Sequence, residues 1–179
     1  MKAFQHFKTI THHKILVMKY CFRMGLYRQG LFHDMSKYSW TEFRIGCKYF
    51  QGTRSPNAME RDLFGYSTAW LHHKGRNKHH YEYWVDVDPV DKTKLSGAKM
   101  PPRYLAEMVA DRIAANRIYK KEGYHDGCPL EYYERTKDYM VIHPETRREL
   151  VKILTMIRDA GESEAIRYVK EEIVRKNRY

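Results

Sequence analysis

Histidine is the residue type in this sequence best suited to chemistry, and its distribution is uneven. The chain has ten histidines in 179 residues, and eight of them lie within the first 80 positions. Imidazole nitrogens bind iron, manganese and zinc ions, often together with carboxylates. Cys21, Cys47 and Cys128 are too far apart to form a CxxC pair, which argues against a thiolate zinc site or a disulfide framework. The sequence therefore predicts a metal site built from imidazole and carboxylate ligands.

Two histidines and one aspartate fall on helical faces that are otherwise apolar. Apolar residues recur around each of them at intervals of three or four, as on the core-facing side of a helix. These residues are Ile10, Val17, Tyr20 and Met24 around His13; Met59, Leu63, Tyr66 and Trp70 before His73; and Leu105, Met108, Ala115 and Ile118 around Asp111. Each histidine alone could be a core residue hydrogen-bonded to the backbone. A buried carboxylate without a partner is costly, so the three together favour a shared metal centre.

Two adjacent pairs, His33-Asp34 and His79-His80, add ligands near predicted turns. The neighbouring His12 falls on a solvated face of its helix. Two other histidines are excluded, because His125 lies in a turn and His143 directly precedes a helix-starting proline. The candidate metal ligands are His13, His33, Asp34, His73, His79, His80 and Asp111.

Helical periodicity extends along nearly the whole chain and predicts an all-α fold of about seven helices. The predicted helices cover residues 3–24, 39–50, 57–74, 102–122, 129–140, 144–160 and 163–176. Ser39 and Glu42 have the spacing of a capping box. Residues 86–100 are predicted to form a loop.

Length and composition predict one soluble domain over residues 1–179, with a metal-site core over 1–122 and C-terminal helices over 129–179 packed on it. No apolar run approaches the ~18 residues that span a bilayer, so no membrane partner is expected. The N-terminus carries charges where a signal peptide would be apolar, and we expect a cytoplasmic protein.

The charge of the chain is unevenly distributed. The formal net charge is +11, and residues 1–50 contain nine Lys and Arg residues against Asp34 and Glu42. Such a basic field attracts polyanions or small phosphorylated molecules, and it also occurs in proteins that it merely keeps soluble.

The order of the candidate ligands resembles the HD-domain superfamily of metal-dependent phosphohydrolases. A first-helix histidine, the His33-Asp34 doublet, later histidines and a helical Asp111 follow one another as ligands do in that superfamily. The segment HDMSK (33–37) is similar to the HDxxK form of its cyclic-dinucleotide branch. The Gly-Tyr-Pro motif of that branch is absent from the expected place, so cyclic-di-GMP is not implied. The resemblance implies an HD-domain-like helical bundle.

The chain is also identified as a member of a bacterial family of unknown function, through long sequence blocks. These blocks, which cover much of residues 25–120, are HDMSKYSWTEF, YFQGTRSPNAMERD, GYSTAWLHHKGRNKHHYEYW and MPPRYLAEMVADRIA. Since this family has no settled activity, the biochemistry must be argued from the site.

The HD resemblance implies that His33 and Asp34 bind metal together with the other candidate ligands. The set is larger than one ion needs, so it implies one or two divalent transition metal ions, which would be iron, manganese or zinc, with Asp34 as the natural bridge. Two ions about 3.5–4 Å apart would supply a nucleophile and polarise a phosphoryl oxygen, which is the chemistry of phosphoester hydrolysis. Asp34 and Lys37 are the implied catalytic residues. Lys37 lies one turn after Asp34 and would face the substrate phosphate, although a solvated lysine is an equally ordinary role.

The segment 72–84 combines four histidines with Lys74, Arg76 and Lys78. We expect these three cations, with Lys37, to bind substrate phosphate. Asn77 either orients a ligating histidine or occupies a turn, and Glu82 either accepts the second N–H of a ligand or pairs with a surface cation.

Three functions remain open from the sequence. The leading hypothesis is an HD-type metal-dependent phosphohydrolase acting on a small phosphorylated compound or a nucleotide. An HD-like di-iron oxygenase would use similar ligands. A non-catalytic protein that binds nucleic acid or acts in regulation would instead use the basic N-terminal region, and its histidine cluster would be a structural remnant.

Overall fold

The computed structural model describes residues 2–179, and the predicted all-α fold class is confirmed. Within those residues the helices are α1 (Lys2–Arg23), α2 (Tyr27–Phe32), α3 (Trp40–Tyr49), α4 (Pro56–Phe64), α5 (Thr68–Lys74), α6 (Pro102–Lys120), α7 (Cys128–Thr136), α8 (Pro144–Ala160) and α9 (Glu162–Tyr168). A π-helical turn, Val169–Val174, continues α9. A short antiparallel sheet pairs β1 (Val85–Val87) with β2 (Leu95–Gly97), so the predicted loop over 86–100 is partly wrong.

The single helix predicted over residues 57–74 is wrong, because the chain turns a corner between α4 and α5. Gly65 ends α4 in the left-handed region, at a φ of 79°, a conformation that glycine adopts without steric cost. The Glu60 carboxylate then accepts hydrogen bonds from the hydroxyls of Ser67 and Thr68, both at 2.6 Å. This corner and the six-residue α2 account for the two helices beyond the predicted seven.

The corner changes which residues face the core. Leu63 and Tyr66, predicted to share an inward stripe with His73, are 53% and 56% exposed. His73 is nevertheless buried, because α5 starts in a new direction after its N-cap Ser67, whose hydroxyl accepts from the Trp70 N–H at 3.0 Å. The inward position of His73 was therefore predicted for an incorrect reason.

The hydrophobic core lies between α1, α6 and the C-terminal helices. Helix α6 packs on α1 and on α8, and α8 packs on α9. Fully buried side chains from each of these helices fill the space, namely Val17 and Cys21 from α1, Leu105 and Ile113 from α6, and Leu150, Ile153 and Ile157 from α8. The chemistry-bearing residues of α1 and α6 therefore project from a rigid pair of helices.

Two predicted helix starts agree with the structure in detail. The Ser39 hydroxyl accepts a hydrogen bond from the Glu42 N–H at 3.5 Å at the start of α3. At the start of α8, His143 Nδ1 accepts from the Glu145 N–H at 3.2 Å. His143 thus has a capping role, as its position before Pro144 indicated. No helix within residues 2–179 is long and apolar enough to cross a membrane.

The hairpin is fixed to the rest of the chain at Gly97. A Cβ atom there would lie 2.4 Å from the His143 nitrogen and 2.6 Å from the Ile142 carbonyl carbon. Because both atoms belong to the backbone, we expect Gly97→Ala to lower the free energy of unfolding by about 1–3 kcal/mol in urea titrations. Gly123→Ala is the control, because a Cβ there meets nothing within 4 Å. Equal stability of the two variants would contradict the close approach.

His6 makes the folded state sensitive to acid. It is buried near Phe43 and Phe50, and burial, with a smaller contribution from the Lys37 charge, lowers the pKa of His6 to about 4. The unfolded chain therefore takes up this proton first, and the contribution of His6 to stability is lost as the pH falls from about 6.5 towards 4. Allowing for partial solvent screening, we expect a loss of about 1–2 kcal/mol between pH 7 and pH 5.

The test compares the pH dependence of urea unfolding between variants. His6→Gln should lose this part of the dependence. His12→Gln, which alters an exposed histidine on the same helix, should keep the dependence of the wild type. A His6→Gln profile that matches the wild type would rule out His6 as the source.

Candidate metal centre

The structure brings the seven predicted ligands together in two buried groups that share Asp34. One group consists of His13, His33, Asp34 and Asp111, and the other of Asp34, His73, His79 and His80. Within each group, one ligand atom per residue lies within 4.8 Å of all the others. Either group could hold a metal ion.

The two oxygens of Asp34 face different groups. Asp34 Oδ1 lies 3.3 Å from His73 Nε2 and 3.4 Å from His79 Nε2. Asp34 Oδ2 lies 3.3 Å from His33 Nε2 and 3.7 Å from His13 Nε2. On the second side, Asp111 Oδ1 lies 2.9 Å from His13 Nε2. A carboxylate in this position can bridge two ions.

Five separate segments deliver these side chains. His13 comes from the buried face of α1, His73 from α5 and Asp111 from α6. His79 and His80 come from the loop after α5, whose turn is closed by the Asn77 N–H donating to the His73 carbonyl at 3.1 Å. Asp34 itself has a φ of 53°, a left-handed conformation that aspartate tolerates better than most residues.

The buried ligand atoms have no hydrogen-bond partners. Among the described residues, the unpartnered buried atoms include Nε2 of His13, His33, His73, His79 and His80, and both carboxylate oxygens of Asp34. Lys37 Nζ does lie 2.6 Å from Asp34 Oδ2, and Asp111 Oδ1 lies 2.9 Å from His13 Nε2, but both are ion-pair contacts outside hydrogen-bond geometry. Such unsatisfied groups are rare in folded proteins and costly. Divalent cations would satisfy all seven atoms at once, so the residues fit a metal centre.

Glu107 contacts two of the histidines at Nδ1, the ring nitrogen that faces away from Asp34. Sequence reasoning missed this residue. Its Oε1 lies 2.9 Å from His33 Nδ1 and 3.2 Å from His79 Nδ1. A carboxylate at Nδ1 keeps the proton there and leaves the Nε2 lone pair for a metal. One signal was available, because Glu107 lies one helical turn before Asp111 on α6.

Glu42 plays the same part for His73 in the second group. Its Oε2 lies 2.8 Å from His73 Nδ1, and its Oε1 lies 2.6 Å from His72 Nδ1. Sequence reasoning assigned Glu42 only to the cap of α3. Its contact with α5 depends on the packing of α3 against α5, for which the sequence contained no signal.

The two undecided residues of the 72–84 segment have different surroundings. Asn77 Nδ2 donates to the Ser36 hydroxyl and to the His73 carbonyl, both at 2.8 Å, and lies 3.2 Å from His73 Nδ1. It therefore packs directly behind a candidate ligand. Glu82 has a buried Oε2 without a partner, and burial raises the pKa of its carboxyl.

The electrostatics of the cluster couple ion binding to pH. Burial alone would raise the pKa of Asp34, but the charges of His33, Lys37 and His73 lower it well below its usual value. Burial alone would lower the pKa of His33, but Asp34, Asp111 and Glu107 raise it well above its usual value. Because a metal ligand must be deprotonated, ion binding releases a proton from this cluster and weakens in acid.

A cavity of about 850 Å³ opens onto the cluster, and His13, His73, His80 and Asp111 lie on its wall. Lys37 also lines it. The cationic side chains on the wall are Lys37, Arg54, Arg61, Arg112, Lys120 and Arg135.

The other three predicted phosphate-binding residues do not line this cavity. Lys74 is half-buried, and Arg76 is exposed and donates from Nη1 to the His72 carbonyl at 3.4 Å. Lys78 is exposed and lies 5.5 Å from the Tyr83 ring centre. The excluded His125 belongs to a third cluster with Cys128 and Glu131, and its side chain is 60% exposed.

Comparison with known proteins identifies the class of the chain. Residues 2–156 match the model of a family described as "Family of unknown function (DUF5662)", and the chain belongs to this family. No curated protein and no solved structure matches the chain significantly. The chemistry of the site is therefore argued from its own residues.

The role of Glu107 can be tested through metal affinity. Both Nδ1 atoms contact the same oxygen, Oε1, so Glu107→Gln keeps an acceptor but removes the negative charge that holds both protons at Nδ1. We expect the tautomer preference to weaken and the metal affinity to fall about 10–100-fold in a chelator competition. Glu134→Gln, which removes an exposed partner of Lys137, is the control. Unchanged affinity in Glu107→Gln would show that Glu107 does not set the tautomers.

Proposed function

We propose that the chain is a metal-dependent phosphohydrolase of HD type that acts on a small phosphorylated compound or a nucleotide. The observation that supports this most is a pair of four-residue groups that share the buried Asp34. Four members of these groups, His13, His73, His80 and Asp111, line a cavity that also carries cationic side chains. His13, His33, Asp34 and Asp111 would hold one divalent ion, and Asp34, His73, His79 and His80 the other. The donor set suits iron, manganese or zinc.

When bound, two such ions lower the pKa of a water molecule and polarise a phosphoryl oxygen. The chain's own residues prepare the site for this. Glu107 and Glu42 accept from Nδ1 of His33, His79 and His73, which directs their Nε2 lone pairs inward. Asp34 presents one oxygen to each group.

Lys37 is the residue best placed to contact the substrate phosphate. It lines the cavity, and its Nζ lies 2.6 Å from Asp34 Oδ2. Burial alone would lower its pKa, but Asp34 and Asp111 raise it, so its ammonium stays charged at neutral pH. A fixed positive charge beside the ligand cluster would stabilise the negative charge that develops on a phosphoryl group.

The cavity supports a small anionic substrate over the alternatives. Its volume of about 850 Å³ lies within the range of small-molecule sites, and six cationic side chains line it against the carboxylates of Glu82 and Asp111. An apolar substrate for a di-iron oxygenase would leave the buried Nε and Nη1 atoms of Arg112 without a partner. A nucleic-acid interface would use an open basic surface rather than a concave cavity beside buried ligands.

The first experiment measures metal content in protein purified without a histidine tag. We expect the wild type to contain about one or two equivalents of iron, manganese or zinc. Asp34→Ala should lose most of this metal, because the shared carboxylate belongs to both groups. Asp138→Ala, at an exposed position, should keep it.

The same preparations are then tested on phosphomonoesters and nucleotides. Hydrolysis by the wild type that chelation and Asp34→Ala both abolish would support the proposal. Folded wild-type protein that takes up no iron, manganese or zinc would overturn it. Bound iron with oxygen consumption and no phosphate release would favour the oxygenase.

A further inference from the structure

Arg112 is a half-buried cation that no part of the metal cluster uses. It follows Asp111 on α6 and lines the same cavity. Its Nε and Nη1 atoms are buried and have no hydrogen-bond partner. A guanidinium buried in this way is costly unless an anion pairs with it. The side chain is therefore available for a ligand inside the cavity.

A second arginine approaches the same place. Arg112 Cζ lies 5.8 Å from the centre of the Tyr132 ring, and Arg135 Cζ lies 6.0 Å from that centre. Both arginines and Tyr132 line the cavity. Contact with an aromatic ring orients a guanidinium without neutralising its charge. Two like charges held at one ring favour the entry of an anion.

An acidic side chain on the same wall forms neither a hydrogen bond nor a salt bridge with Arg112. Glu82 also lines the cavity, yet its Oε2 is buried without a hydrogen-bond partner. Arg112 and Glu82 thus share a wall of the cavity. The Nε and Nη1 atoms of Arg112 and the Oε2 atom of Glu82 have no hydrogen-bond partner. An ion pair built into the fold would have satisfied these atoms, so the wall is better explained as part of a binding surface.

We propose that Arg112, assisted by Arg135, forms a second anion subsite, which selects substrates that carry a further anionic group besides the one at the metal cluster. This inference rests on the proposed function for the position of the first group. The second group is a phosphate or a carboxylate, because a guanidinium binds both through paired N–H donors. The lining aromatic residues Tyr81, Tyr119 and Tyr132 would flank the part of the substrate between the two anions.

Matched probes isolate the second anion. For each length from two to six carbons, the probes are the non-hydrolysable phosphonate analogues of an alkyl monophosphate, of the α,ω-bisphosphate and of the ω-carboxyalkyl phosphate. Their dissociation constants are measured by calorimetry on metal-loaded wild type, Arg112→Gln, Arg112→Lys, Arg135→Gln and Arg103→Gln. The last variant is the control, because Arg103 is an exposed arginine on α6 outside the cavity lining.

We expect at least one doubly anionic probe to bind the wild type with an affinity at least about ten-fold higher than that of the monophosphate probe of the same length. Arg112→Gln should remove this preference and leave the monophosphate affinity unchanged. Arg112→Lys should keep part of it, because the charge remains and the paired donors are lost. Arg135→Gln should weaken the preference less, and Arg103→Gln should retain it. The preferred probe distinguishes a phosphate from a carboxylate.

Stability measurements separate a binding role from a structural one. Because Nε and Nη1 of Arg112 have no partner in the fold, Arg112→Gln should keep the melting temperature and metal content of the wild type. Equal binding of all probes by the wild type would overturn the inference, and so would equal losses in Arg112→Gln and Arg103→Gln. Absence of hydrolysis beside an Arg112-dependent preference would count against the proposed function alone.

Discussion

The burial of the Asp34 carboxylate is the constraint around which the rest of the fold is arranged. Four imidazoles from three segments and one loop approach its two oxygens within 3.7 Å. A carboxylate at this depth is stable only if positive charge surrounds it. The left-handed backbone at Asp34 turns the side chain into the cluster, and α1, α5 and α6 each supply partners. Helices that are distant in sequence must therefore meet at one point.

Carboxylates outside the cluster set the orientation of its imidazole rings. Glu42 contacts His73, and Glu107 contacts His33 and His79, at Nδ1, so these three imidazoles present Nδ1 outward and Nε2 inward. Metal binding requires neutral imidazoles, so the charges that remain would be the carboxylates of Glu42, Glu107, Asp34 and Asp111 and the ammonium of Lys37. Two divalent ions would bring this set to one net positive charge, the sign that attracts a phosphorylated molecule.

The sequence was most informative about which side chains face inward where one helix continues without interruption, because helical periodicity then holds along its whole length. His13 and Asp111 were predicted from the apolar faces of helices that the structure retains almost unchanged. His33-Asp34 and His79-His80 lie near turns, where periodicity says little, and were found through residue type and the family resemblance. The buried position of His73 was predicted from a stripe that the corner at Gly65 interrupts, and His73 is buried because the local hydrogen bonds of Glu60 reorient α5.

The sequence could not predict the site features that depend on how separate helices pack against each other. Glu42 reaches the cluster only because α3 packs on α5, and nothing in its neighbourhood on α3 indicates this. Lys74, Arg76 and Lys78 were predicted to bind phosphate from their proximity in sequence to the histidines, yet Arg76 and Lys78 are exposed outside the cavity. Besides Lys37, Arg54 and cations from α4, α6 and α7 line it, and their positions follow from how these elements pack together.

The distribution of the ligands along the chain sets an order for biosynthesis. The group of Asp34, His73, His79 and His80 is contained in residues 34–80, whereas the group with His13 needs Asp111 from α6. A chain emerging from the ribosome therefore exposes all four ligands of one group before it can complete the other. Since Glu107 on α6 also contacts both His33 and His79, emergence of this helix connects the two groups of candidate ligands.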